Sequence, residues 1–145
     1  MNEQSQKLLT RLYQDCKIGE LASLEVLEKC KDVSFKEIIA KQLNQYKEIA
    51  KECEDLAKGH DIVLPDNSFF KKFKQIAMIN LSLLFKGNDR RIAEMMITGT
   101  VMGIIDSIKA LYDLSKAEAE VLNIGRKLQA MQEKYVEALK KYLEG

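Results

Sequence analysis

The side chains in this sequence that could do chemistry are acids, phenols and amides, with a single histidine among 145 residues. Glu20 stands inside a stripe of Leu9, Tyr13, Cys16, Ser23 and Leu27 that recurs at three- and four-residue steps. A carboxylate on such a buried face needs a proton or a partner. Counting across the tight connection after this stripe brings Tyr46 to the same height, so the Tyr46 hydroxyl is predicted to reach a Glu20 carboxylate oxygen. Asp106, set between Ile105 and Ile108, poses the same problem, and Asn123 is its predicted partner across the last turn of the chain. Gly99 and Gly103 lie four apart on one helical face and predict a close-packed seam or a space for a small ligand. Cys16, Cys30 and Cys53 form no CxxC pair and read as reduced thiols filling a core. His60, next to Asp61, reads as a surface loop residue. No nucleophile–base pair and no glycine-rich phosphate loop can be assembled from these groups, so catalysis is disfavoured.

The elements that must position these residues are all helical. A first helix is expected from about Glu3 to Cys30. Lys31-Asp32-Val33 makes a tight turn, and Ser34 with Glu37 reads as a capping box opening a second helix. That helix runs to about Lys58 with Phe35, Ile39, Gln42, Leu43, Tyr46, Ile49, Ala50, Cys53 and Leu56 on its inner stripe, and Gly59 stops it. A link this short predicts an antiparallel hairpin. His60–Pro65 reads as a loop, and Asp66, Asn67 and Ser68 as caps for a short third, crossover helix ending at Gly87. Its Phe69, Phe70, Phe73, Ile76, Met78, Ile79, Leu81, Leu83, Leu84 and Phe85 are too many apolar groups for one face. Asn88 and Asp89 cap a central helix around Ile92–Leu114. Its run from Met95 to Ile105 is uncharged and predicts burial on nearly every side. Ser115 with Glu118 reads as a second capping box. The last helix carries Val121, Ile124, Leu128, Met131, Tyr135, Ala138, Leu139 and Tyr142 and closes a second hairpin.

The bulk properties fit one domain over residues 1–145. The chain is 46% hydrophobic and 31% charged, with one proline, no tryptophan and a net charge of +1. That balance offers no basic stripe for nucleic acid. The polar start, Met1 to Lys7, lacks the apolar centre of a secretion signal, so a cytoplasmic protein is expected. The apolar run within Ile92–Ile105 is short for a membrane span and carries Glu94. The Phe69-Phe70-Lys71-Lys72-Phe73-Lys74 cluster has the look of a membrane-surface helix, but packing or self-association explains it better.

Hairpin, long crossover and hairpin, with Glu20 about a dozen residues before the first turn, resembles the ferritin-like bundles, in particular small bacterial rubrerythrin-like and spore-coat-like members. The resemblance implies an all-α, antiparallel four-helix bundle of two helical hairpins with a short extra crossover helix. It also implies a di-iron centre held by a Glu from each of two helices and a Glu-x-x-His pair from each of the others. Glu20 fits the first of these positions. Tyr46, Ile49, Gly103, Leu128 and Met131 stand at others, so neither iron nor another cofactor is expected. The functional expectation is a non-catalytic binding or assembly protein, a homodimer through the crossover helix or an open bundle face. One alternative is a metal-dependent oxidoreductase or iron-handling protein with a reduced carboxylate site from Glu20, Asp106 and Glu94. A second is a small-molecule or acyl-chain carrier lined by Met95, Met96, Met102, Gly99 and Gly103.

Overall fold

The structure, a computed structural model, describes residues 1–65 and 88–144. The expected crossover helix therefore lies outside the described residues. Four long helices form in the order α1 (Glu3–Leu27), α2 (Val33–Gly59), α3 (Asp89–Asp113) and α4 (Ala119–Leu139), followed by a 3₁₀ turn, Lys140–Leu143. No strand occurs among the described residues, and helix-on-helix packing builds the core.

Helix ends are fixed by short side chains. Asn2 caps α1 by accepting from the Ser5 amide at 2.8 Å, and Asn88 caps α3 by accepting from the Arg91 amide at 3.2 Å. Neither expected capping box forms. Asp32 caps α2 through the Phe35 amide, while the Ser34 hydroxyl donates to Asp32 at 2.6 Å. The amide at Glu118, where α4 begins, donates to Ser5 Oγ at 2.7 Å, so a side chain from the other hairpin replaces a local cap. The first helix ends at Leu27, three residues early, because the turn to Cys30 closes on the Val26 carbonyl.

Contacts between the two ends establish the helix directions. Arg11 of α1 meets Asp106 of α3, and the Lys31 and Asp32 amides donate to Asp89 at 3.3 and 3.0 Å, so α1 and α3 run antiparallel. Phe35 stacks on Tyr142 with ring centroids 4.5 Å apart, and Glu52 of α2 pairs with Lys127 of α4, so α2 and α4 are also antiparallel. Asn2 Nδ2 donates to the Lys116 carbonyl, which sets the starts of α1 and α4 side by side and makes them parallel. The contacts are densest within the two hairpins and sparse between α1 and α3.

The core divides into two apolar clusters. One gathers Leu8, Leu9, Leu12, Cys16, Ile49, Cys53, Val121 and Leu128 near the start of α1. The other gathers Val26, Phe35, Ile39, Ile92, Met96 and Leu139 near its end. The helix expected at the centre, α3, departs from expectation. Ile92, Ala93, Met96, Thr100, Ser107 and Ala110 are buried, but the opposite face is open among the described residues. Val101 is 38% exposed, Ile105 48%, Ile108 50%, Met102 66% and Tyr112 83%. With α3 at the edge of a four-helix arrangement, only one side of it has described neighbours; apolar composition all round does not place a helix in the middle.

Candidate functional site

Between the two apolar clusters lies a layer of polar side chains drawn from all four helices. α1 gives Glu20 and Ser23, α2 gives Gln42 and Tyr46, α3 gives Thr100, and α4 gives Gln132, all buried; Ser107 is buried a turn or more away, beside the level of Arg11 and Asp106. Tyr46 lies over Gly19 of α1, where a β-carbon would come within 2.5 Å of the ring carbon Cζ, so the glycine makes room for the phenol. Gln132 Nε2 donates to the Tyr46 hydroxyl at 3.2 Å. A β-carbon on Gly103 would stand 2.8 Å from that same Nε2, so Gly103 is the floor under the amide. Burial raises the Tyr46 pKa, and the Gln132 and Gln42 amides facing the phenol partly offset it. Tyr135 is also raised by burial. Within the described residues, Ser23 Oγ, Gln42 Nε2, Ser107 Oγ, Gln132 Oε1 and Tyr135 Oη are buried without a full hydrogen bond. Each such atom costs about 1–3 kcal/mol when left unmatched.

The predicted Glu20–Tyr46 bond does not form. Glu20 instead accepts from Lys17 Nζ at 3.0 Å, one turn back on its own helix, and the phenol turns across the bundle to Gln132. Lys17 can shield the acid because its long stem lies along α1 while its ammonium reaches the edge.

A second polar cluster ties α1 to α3 near the start of α1. Arg11 Nε donates to Asp106 Oδ2 at 3.1 Å, and its Nη2 to Oδ1, a two-point ion pair. The hydrogen bond to Asp106 is also the main cause raising the Arg11 pKa. Asp15, one turn on, sits beside the same carboxylate. Burial first, and then the Asp106 charge and hydrogen bond, push the Asp15 carboxyl up to about 7, against the opposing pull of Arg11. At neutral pH Asp15 thus carries only part of its negative charge, and Arg11 pairs with Asp106 beside it. Asn123, the expected partner of Asp106, is exposed and accepts from Arg126 of its own helix at 3.3 Å.

The metal candidates are not brought together. Glu94 is exposed on the outer face of α3. With α1 and α3 antiparallel and Arg11 level with Asp106, Glu20 lies nine residues, about 13 Å, further along the bundle. Among the described residues no three His, Cys, Asp or Glu side chains converge as a metal-holding group. The side chains that α1 and α3 do bring together are Asp15, Asp106 and Arg11. The carrier lining does not assemble either, because Gly99 faces open space and Met102 points outward, while Met96 is buried in the packed core. Gly103 alone keeps its expected seam role.

Sequence reading missed Gly19, Gln132, Arg11, Asp15 and Gly125. Gly125 sits where a β-carbon would come within 2.7 Å of Leu111 Cδ2, allowing α3 and α4 to close. A signal was present for two of them. Val121, Gly125, Leu128, Gln132, Tyr135 and Leu139 alternate at four- and three-residue steps, as regularly as the stripe through Ile124 and Met131.

His60 is exposed and lines an open groove of roughly 620 Å³ with Thr10, Arg11, Gln14 and Ile62. Cys16, Cys30 and Cys53 are free thiols, all buried. Burial raises Cys16 and takes Cys53 up to about 12, which leaves both unreactive as nucleophiles. In comparisons with known proteins, no family model, curated protein or solved structure matches the chain.

Proposed function

We propose that this chain is a non-catalytic, ferritin-like helical bundle that acts in binding and assembly as a homo-oligomer, using the open face of α3. The observation that carries this reading is that face, where Val101, Met102, Ile105, Ile108 and Tyr112 form one exposed apolar stripe. A contiguous patch of this kind on a water-soluble surface marks an interaction site. The ferritin-like assignment is supported by the helix directions. α1 is antiparallel to α2 and α3, α4 is parallel to α1, and one long connection joins two hairpins, which is the layout of that bundle class.

The chemistry of the interior supports a non-catalytic role. Its mid-height layer holds a single carboxylate, Glu20, already paired with Lys17, and is otherwise neutral amides, hydroxyls and a phenol whose pKa is raised, a set suited to holding register between helices and short of the several acids a cation site needs. The three buried free thiols suit a reducing compartment such as the cytoplasm.

The test is elemental analysis of protein produced in iron-supplemented medium, combined with sedimentation equilibrium. The reading expects iron far below one atom per chain and a mass above the 16.6 kDa of one chain. Two iron atoms per chain, retained through gel filtration, would replace it with the iron-handling alternative.

A further inference from the structure

We infer that the open face of α3 pairs with the same face of a second copy, antiparallel, about a twofold axis passing beside Met102. The inference rests on the assembly reading and names its partner and register.

The order of residues along the stripe sets the direction of pairing. From the start of α3 the exposed face carries Arg90, Arg91 and Glu94, then Thr98, Val101, Met102, Ile105 and Ile108, then Lys109, Tyr112 and Asp113. The apolar residues hold the middle and charges of both signs hold each end. A helix packed antiparallel on its own copy brings the two ends of this stripe together. Arg91 lies eleven residues before Met102 and Asp113 eleven after, so each Arg91 faces Asp113 of the second copy. Glu94 lies eight before and Lys109 seven after, within one turn of facing each other. Both pairings are attractive, and each occurs twice in the dimer, as a self-complementary interface demands. A parallel pairing would set like charge against like along the same stripe.

Shape agrees with charge. Gly99 lies three residues before Met102 and Ile105 three after, and a β-carbon at Gly99 would meet nothing within 4 Å in the single chain. In the antiparallel register Ile105 of one copy enters the gap left by Gly99 of the other, which lets the helices approach closely. The stripe from Arg91 to Tyr112 is about 30 Å long at the rise of an α-helix.

A lipid surface is a poorer occupant. Asp89–Asp113 is long and apolar enough by length and composition to cross a membrane, yet the exposed stripe itself carries Glu94 and Lys109. An acid within the contact face suits a basic partner better than the negative surface of a bilayer.

The test uses the full chain with single substitutions at exposed positions. Met102→Cys is expected to form a disulfide-linked dimer under mild oxidation, because residues at a twofold axis meet their own copies, whereas Lys134→Cys on α4 stays monomeric on denaturing gels. Arg91→Asp is expected to weaken the dimer about 10-fold by sedimentation equilibrium, and adding Asp113→Arg to restore it. Circular dichroism confirms that each variant remains helical. If oligomers persist while Met102→Cys fails to cross-link and the charge pair shows no rescue, this pairing is overturned and assembly must use another surface. A monomer at every concentration overturns the pairing and the assembly reading together. Vesicle binding that depends on Ile105, in place of dimerisation, overturns the pairing in favour of lipid.

Discussion

Among single residues, Asp15 makes the sharpest pH claim. Its carboxyl stands at about 7 in the folded chain against 3.8 for the free group, because burial and Asp106 disfavour its charge. The folded state therefore holds more protons than the unfolded state between those two values. The favourable contribution is complete below about pH 4, declines as pH rises towards 7, and stays lost above it. Asp15→Asn keeps the size of the side chain and the hydrogen bond to Asp106 without a proton to lose. Urea titrations are expected to show the wild type losing stability between pH 5 and pH 8 while the variant loses less, gaining about 1–3 kcal/mol at pH 8. Equal slopes for the two proteins would mean that Asp15 is ionised and solvated throughout.

Tyr46 and Gln132 offer a second test of individual side chains. Tyr46→Phe or Gln132→Leu alone leaves a buried group without its partner and is expected to cost about 1–2 kcal/mol. The double variant removes both polar groups and is expected to cost less than the sum of the singles, so a double-mutant cycle from chemical denaturation should give a coupling near ~1 kcal/mol. Strict additivity would show that the 3.2 Å contact contributes nothing.

Between elements, glycines decide how near the helices come. Gly19→Ala puts a β-carbon against the Tyr46 ring, so the gain of about 1 kcal/mol in helix propensity should be outweighed by packing strain and the variant should melt lower. A higher melting temperature would show that Tyr46 can move aside freely. Helix ends and pairings also show how far the sequence is legible. Four of the expected helices and the Asn88 cap are direct consequences of periodicity and side-chain chemistry, whereas Gly59, the expected stop, is still helical and Asp61 takes the left-handed conformation past the end of α2. Ser34 does not cap α2, because Asp32, two residues earlier and in extended backbone, accepts the Phe35 amide and ties the Ser34 hydroxyl to itself. The pairing of Tyr46 is not readable by counting across one turn, since its partner comes from α4, a helix whose height is fixed by contacts far apart in sequence. Local pattern identifies which face of a helix is apolar, but the directions and neighbours of the helices decide which polar groups meet.

Across the whole molecule, the four described helices satisfy one another along two apolar clusters and a polar layer, and leave one long face of α3 without a neighbour among the described residues. The uncharged run from Met95 to Ile105 reads in sequence as the centre of the bundle. Its apolar groups divide between an inner face that meets α4 and an outer one without a neighbour among the described residues. Under the proposed assembly both halves look alike in sequence because each would be covered, one within the chain and one by a second copy. Placing an acid on the outer half separates these two kinds of burial, since the fold is expected to survive what the assembly does not. The most direct measurement is light scattering of wild type and Ile105→Glu over a range of concentrations. The account predicts a wild-type mass of twice 16.6 kDa and a variant at 16.6 kDa with unchanged helicity, and identical masses for the two proteins would contradict it.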